Sequence, residues 1–390
     1  MLGQPALLRD ASNRKATVHR LGRGWKGFDF YILVTTIVLL GFGALTIYSA
    51  DGGGPLTPTN LGVRQALYGA LGIVVMLIVA SIDYRILGSL SWALYGASLL
   101  ALTLVLIPGI GTEIAGSRRW FDFGFSTVQP SEFAKVATLL ALSAFVASRG
   151  PAMREFGNFI VSILIVLAPL LLVFRQPDLG TSLVYAIIWV SVMTITQTRR
   201  RYWLAILTIA PVAVLATWEF FLADYQKRRW SVFLNPEADA RGDGFNLIQA
   251  RISIGSGGLT GFGIEGGTQS QLGLLKVRES DFIFAHASGM FGFMGMVALM
   301  LMFAILLWRC LDVSASARDE LGQALAIGIA GMVFFQAFVN IGMNIGLMPV
   351  TGVTLPFVSA GLSSLWTFLI AEGILHSILI RQRKLAFQPV

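Results

Sequence analysis

About ten apolar runs succeed one another along the chain, separated by polar or basic stretches. They fall near Phe28 to Ala50, Ala66 to Ile82, Ile86 to Ile107, Phe133 to Ser148 and Phe156 to Phe174, then near Gly180 to Gln197, Tyr202 to Leu222, Phe282 to Cys310, Ala324 to Ile345 and Val353 to Ile380. A helix crosses the hydrocarbon core of a bilayer in about 20 residues. The pattern therefore predicts an all-α polytopic membrane protein with about ten transmembrane helices. The run from Phe133 is short, which suits a helix that tilts little or thins the bilayer around it.

One connection is long. Residues 222–281 separate the seventh and eighth runs, and a stretch of that length in a compact protein is usually functional or disordered. Phe245, Leu247, Ile248, Ile252 and Ile254 alternate there with polar positions, in a way that suits a short helix lying in the membrane interface. The glycine-dense part from Gly255 to Gly267 lacks the Lys-Ser/Thr ending of a nucleotide-binding loop. It reads as a segment that bends sharply against the membrane. The domain expectation is a basic cytoplasmic tail over 1–27, then one transmembrane domain over 28–390 with the 222–281 loop inside it.

Composition agrees: 55% of residues are hydrophobic and 13% charged, against about 45–50% and 25% in soluble proteins. Short basic loops stay in the cytoplasm. An even number of spans places both termini there, with Arg9, Arg14, Lys15, Arg20, Arg23, Lys26, Arg85, Arg149, Arg154, Arg199 to Arg201, Arg309, Arg318, Arg381, Arg383 and Lys384 on that side. The long loop is then extracytoplasmic. The net charge of +8 reads as topology and attraction to anionic lipid, with no nucleic-acid partner. The first apolar run reads as an uncleaved signal anchor. The lone cysteine, Cys310, leaves no basis for a disulfide, a zinc site or thiol catalysis.

Ionisable groups at membrane depth cost about 2.5–3.5 kcal/mol on insertion scales, which singles out Glu132, Lys135, Asp178 and Asp281. Gln129-Pro130-Ser131-Glu132 and Gln176-Pro177-Asp178-Leu179 each set proline just before an apolar run, with an acid close behind. Proline suits the first helical position, and acids complement helix N-termini. Asp178 is thus either a helix cap or a cavity group. Lys135 follows Glu132 at i+3 on the same face, as a structural strut or as part of a polar cavity.

The motifs, taken in order, resemble a known family. They are Gly116-Ser117-Arg118-Arg119-Trp120, the two Gln-Pro segments, Gly267-Thr268-Gln269-Ser270-Gln271, Ser280-Asp281-Phe282-Ile283-Phe284, Asn340-Ile341-Gly342, and Leu347 to Gly352 closing in Leu355-Pro356-Phe357-Val358-Ser359. Together they look like the SEDS family (shape, elongation, division and sporulation), with Gly267 to Gln271 resembling its rod-shape branch. The resemblance implies a multi-pass protein of the bacterial cytoplasmic (inner) membrane that polymerises lipid II on the outer side during cell elongation. It implies a class B penicillin-binding protein as transpeptidase partner, with lipid II, undecaprenyl-pyrophosphate-linked glycan and membrane lipids as the other contacts. The family's essential aspartate maps to Asp281, with Ser280 in place of threonine, so the hydroxyl is kept. Trp120, Glu132 and Lys135 map to motif positions. Three places depart from the family pattern: Leu275 to Glu279 where Leu-Pro-Glu is usual, Gly289-Met290 where a Glu-Glu pair is usual, and Ala360-Gly361-Leu362 where Tyr-Gly-Gly is usual. His286 is either a local substitute for the missing acids or a buried helix residue.

Joining a sugar hydroxyl to a lipid-pyrophosphate sugar needs a base and charge stabilisation for the leaving pyrophosphate. Asp281 suits the first task beside a desolvating Phe-Ile-Phe run. Arg118, Arg119, Lys227, Arg228, Arg229 and Arg278 are candidates for the second, or for anionic headgroups. A divalent cation, Mg2+ or Mn2+, could share that work, although no ligand cluster is evident. Trp120 is an interfacial aromatic or a platform for sugar or lipid. Two rivals remain, a flippase for the same lipid and a scaffold that only holds a synthase. Key acids at a loop boundary rather than at the midplane favour catalysis over transport.

Overall fold

A computed structural model describes residues 27–382, apart from 115, 125, 221 and 243. Most of the expected tail, and Arg383 and Lys384, lie outside them. Among the described residues eight helices are long and apolar enough to cross a membrane, and two shorter apolar helices accompany them. The chain is an integral membrane protein. In order the helices are α1 (Phe30–Ala50), α2 (Leu61–Ser81), α3 (Tyr84–Ser89), α4 (Ser91–Leu104), α5 (Pro130–Arg149), α6 (Phe156–Phe174), α7 (Leu179–Thr194), α8 (Arg200–Phe220), α9 (Asp224–Leu234), α10 (Gly244–Ser256), α11 (Thr268–Gln271), α12 (Ile283–Ser316), α13 (Glu320–Asn344) and α14 (Leu362–Arg381).

Caps set several starts. Asp29 accepts from the N–H of Tyr31 at 2.8 Å to open α1, and Asn60 accepts from Gly62 at 2.9 Å to open α2. Each cap satisfies one of the four N–H groups a helix start leaves free. Pro130 occupies the first turn of α5, where its missing N–H costs nothing. That start lies three residues ahead of the apolar run, so Glu132 sits within the helix. α5, α13 and α14 form the buried centre, with Lys135, Leu139, Leu142, Met332 and Phe368 sealed from solvent. By contrast α8 buries only Tyr202, so it stands off from the bundle along nearly its whole length.

The basic helix ends gather at one end of the bundle. Arg309 pairs with Asp29, Arg85 with Asp319 and Arg381 with Asp83, while Tyr202 donates to the Arg154 carbonyl. The long connection lies at the opposite end. Within it α10 covers the stretch expected as an interfacial helix, but Leu247, Ala250 and Ser253 are buried against α12. α12 itself is broken at Gly292, with φ 61° and ψ −165°. There the glycine-rich segment docks by its main chain: Phe262 N–H donates to the Gly289 carbonyl at 2.9 Å, and Phe293 N–H to the Gly258 carbonyl at 2.8 Å. Gly261 and Gly292 touch backbone to backbone, leaving no room for a Cβ on either.

Three expectations need correction. The stretch from Val353 is not helical until Leu362, because Pro356 lacks a helix donor and disfavours α geometry before it. Val353, Leu355, Phe357 and Val358 are apolar because they are buried inside the protein, the setting in which irregular backbone is tolerated at membrane depth. The third run breaks at Leu90 into α3 and α4. Lastly, an otherwise helical chain carries a three-stranded antiparallel sheet, β1 (Thr112–Ile114), β2 (Ser117–Asp122) and β3 (Thr127–Val128), with Thr112 opposite Trp120 and Phe121 opposite Val128.

Candidate active site

A cavity of about 980 Å³ opens at the end of the bundle that carries the sheet and the long connection. Its walls come from α2, β2, the starts of α5, α7 and α14, the segment before α12, and the irregular 351–361 stretch. Of the residues singled out from sequence, Arg119, Trp120, Glu132, Asp178, Ser280 and Asp281 line it, and Arg229 of the long connection joins them.

Asp281 is held by its main chain. Its carbonyl accepts from the side-chain amides of Asn344 at 2.9 Å and Asn340 at 3.3 Å, both on α13. On either side the chain is pinned as well: the Ser280 carbonyl accepts from Ser359 at 2.8 Å, and the Asn344 side-chain oxygen accepts from the Ala285 N–H at 3.1 Å. The carboxylate itself takes, among the described residues, a single hydrogen bond, from the Ser280 hydroxyl at 3.4 Å. It has no ion pair among the described residues. Burial pushes its pKa above the ordinary carboxylate value, and the charges of Arg119 and Arg229 pull it part of the way back.

The other acids are paired. Asp178 takes three partners: the Thr181 N–H at 3.0 Å, which caps α7, the Gln129 amide at 3.2 Å and Arg119 at 3.0 Å. It is therefore both a helix cap and a cavity group. Arg119 also lies over the Trp120 ring, 4.4 Å from its centroid, and both line the cavity. Glu132 binds Lys135 at 2.7 Å. The glutamate faces the cavity, while the lysine, 1% exposed, sits behind it under the Phe368 ring.

Three residues chosen from sequence do not line the cavity. Lys135 is paired with Glu132 behind the wall, Arg118 is turned to Glu113 at 3.1 Å, and Gln269 closes a turn by accepting from Leu274 at 2.9 Å. Lys227, Arg228 and Arg278 are outside as well. Arg228 pairs with Asp239, and Arg278 ties the loop to the Ala50 carbonyl at 2.8 Å. The cavity adds groups that apolar patterning could not pick out: Arg64, Gln65 and Tyr68 on α2, Glu279 before Asp281, and Gln336 on α13. Arg64 is the one with a prior signal, a charge inside an apolar helix. It donates to the Tyr68 hydroxyl at 3.0 Å.

The sequence matches the FtsW/RodA/SpoVE family, described as cell cycle protein, over residues 30–384. The chain belongs to this family. Among its relatives, the peptidoglycan glycosyltransferase MrdB of Escherichia coli K12 is 35% identical over 360 residues, 92% of this chain and 95% of that protein. Stage V sporulation protein E of Bacillus subtilis 168 is 33% identical over 355 residues, 90% and 96% of the two chains. A chain from a peptidoglycan synthase complex that coordinates polymerization and crosslinking superposes with a TM-score of 0.78 at 29% identity, covering 94% of this chain and 100% of that one. The rod shape determining protein RodA of Thermus thermophilus gives 0.67 at 28% identity, covering 91% and 97%.

One of the three departures from the resemblance, Gly289-Met290, has a local explanation, whereas Val277, Glu279 and Ala360 to Leu362 lie on the cavity wall. Gly289 and Met290 do not line the cavity. A Cβ on Gly289 would come within 3.1 Å of the Gly267 nitrogen and 3.2 Å of the Ser253 hydroxyl, so that surface is taken up by the glycine-rich segment. His286 is sealed in the same layer, its Nδ1 paired with the Ser270 hydroxyl at 2.6 Å. It is a packing residue rather than a replacement acid in the cavity.

Proposed function

We propose that this member of the FtsW/RodA/SpoVE family is a peptidoglycan glycosyltransferase that polymerises lipid II into glycan strands, with Asp281 as general base. The observation that carries the reading is the Asp281 carboxylate, fixed through its main chain on the wall of a polar cavity and ion-paired with no side chain among the described residues. A carboxylate with a raised pKa is a better proton acceptor. It takes the proton of the incoming sugar hydroxyl as the hydroxyl oxygen attacks the anomeric carbon of the second sugar, and the bond to pyrophosphate breaks. Arg119 and Arg229 supply guanidinium forks for the departing charge.

A divalent cation can share that last task. Among the described residues no three His, Cys, Asp or Glu side chains gather as a cage, but Mg2+ is commonly held by one or two carboxylates plus substrate phosphates. Glu279 on the cavity wall would hold it together with those phosphates, leaving Asp281 free as the base, and it would neutralise charge on the pyrophosphate. The likeness to a chain of a synthase complex supports a class B penicillin-binding protein as partner. The gathering of arginines at the far end of the bundle supports a cavity that opens on the outer side of the cytoplasmic membrane.

The test uses the full chain in vesicles with labelled lipid II, with and without the partner. Glycan polymer from wild type and its loss in Asp281→Asn is the expected result. Equal polymer from the variant removes Asp281 from the role, and lipid crossing the vesicle without polymer favours a flippase.

A further inference from the structure

Three amides stand one turn apart on α13: Gln336, Asn340 and Asn344. The last two spend their donors on the main chain around Asp281 and on the Val353 carbonyl. Gln336 does not. It lines the cavity while only 1% exposed, and its Nε2 has no acceptor among the described residues. A buried amide donor without a partner costs about 1–3 kcal/mol.

Helix register places this donor. Gly328 of α13 packs directly on Leu139 of α5 and Val192 of α7. α13 runs toward the cavity, and α5 and α7 run away from it. Eight residues along α13, about 12 Å at 1.5 Å per residue, stands Gln336. The same rise back along α5 reaches Ser131 and, beside it, Glu132. Along α7 it reaches Val184, one turn below Thr181. Glu132 commits Oε2 to Lys135 and keeps Oε1 free of hydrogen bonds among the described residues. One spare donor and one spare acceptor thus belong to side chains that line the same cavity from neighbouring helices at about the same depth, with Val353 on the wall. The donor atom itself is sealed, so a ligand reaches it by a turn of the Gln336 amide.

The geometry points to Gln336 as a specificity-determining residue that, with Glu132, reads a secondary amide on the substrate. The amide carbonyl accepts from Gln336 Nε2, the amide N–H donates to Glu132 Oε1, and its methyl rests on Val353. On a glycan of N-acetylated sugars that group is the 2-acetamido substituent. This deepens the glycosyltransferase reading and rests on it.

The test compares lipid II with an analogue whose acetamido groups are replaced by hydroxyls, using the full-length protein with its partner. Wild type is expected to favour the acetamido substrate in kcat/KM. Gln336→Leu and the closer isostere Gln336→Met should lower kcat/KM for that substrate about five- to tenfold, the worth of a neutral hydrogen bond. They should leave the hydroxyl analogue nearly unchanged, so that discrimination collapses. Equal losses on both substrates, or no loss on either, would overturn the inference and leave Gln336 a packing residue or a water-bonded one. Wild-type indifference to the acetamido group would do the same, and no folding defect in a variant can blur that measurement. If wild type makes no polymer from lipid II, the glycosyltransferase reading fails instead. Equilibrium binding of the same two lipids to wild type and Gln336→Leu then decides the inference by the same ratio.

Discussion

Asn344 donates its side-chain amide to the main-chain carbonyl of Asp281 at 2.9 Å and takes the Ala285 N–H on its other side at 3.1 Å. One side chain thus ties the catalytic candidate to the first turn of α12. Replacing it with leucine leaves that carbonyl with the longer Asn340 contact alone. A small misplacement of a catalytic group can cost about 100-fold, so Asn344→Leu is expected to lower kcat by about 10- to 100-fold. KM should change little, because the carboxylate and the guanidinium groups remain in the cavity. Steady-state kinetics on lipid II separates the two constants.

The pH profile follows from the direction of the Asp281 shift. Burial raises its pKa in the folded protein, so on acidification the base form is lost at a higher pH than an ordinary carboxylate near 3.9 would allow. The acid limb of kcat/KM should lie above that value. Because the folded pKa exceeds the unfolded one, stability is highest below the unfolded pKa and falls as pH rises toward the folded value. At neutral pH the charged Asp281 therefore costs stability. Asp281→Asn is expected to melt at a higher temperature than wild type at neutral pH while losing activity, and thermal unfolding beside the polymerisation assay checks both.

Charge neighbours should move that limb in opposite directions. Arg229 lowers the Asp281 pKa and Asp178 raises it. Arg229→Met should shift the acid limb upward and Asp178→Asn downward, the latter also releasing Arg119 from its 3.0 Å pair. Asparagine can still cap α7 but leaves Arg119 without its buried partner, so both profiles are taken well below the melting temperature of each variant.

How much of this could be read from sequence depends on the physics involved. That the chain is mostly helical and rich in membrane-length apolar helices is legible because span length and apolarity are set locally by the bilayer. The irregular 353–361 stretch was not, since burial in protein and burial in lipid select the same apolar residues. Asp281, Asp178 and Glu132 stood out as charges at helix starts. Gln336 and Gln65 did not, because a neutral amide within an apolar helix carries no charge signature and its meaning depends on which helices surround it. Arg118 and Arg119 are adjacent in sequence, yet strand alternation sends them to different surroundings, one to Glu113 and the other to Asp178 and the cavity.

The Glu132–Lys135 pair offers a stability test that is separate from catalysis. Lys135 is 1% exposed, and among the described residues its ammonium is paired with Glu132, at 2.7 Å, under the Phe368 ring. Breaking a buried pair by removing one partner costs about 3–5 kcal/mol, because the other charge is left uncompensated, whereas replacing both is often close to neutral. Lys135→Met should therefore lower thermal stability strongly, and Glu132→Gln combined with Lys135→Met should recover most of the loss. If the pair served only as a strut, the double variant would regain polymerisation together with stability. Glu132 also faces the cavity with a free oxygen, so the expected outcome is a stable double variant that remains slow on lipid II.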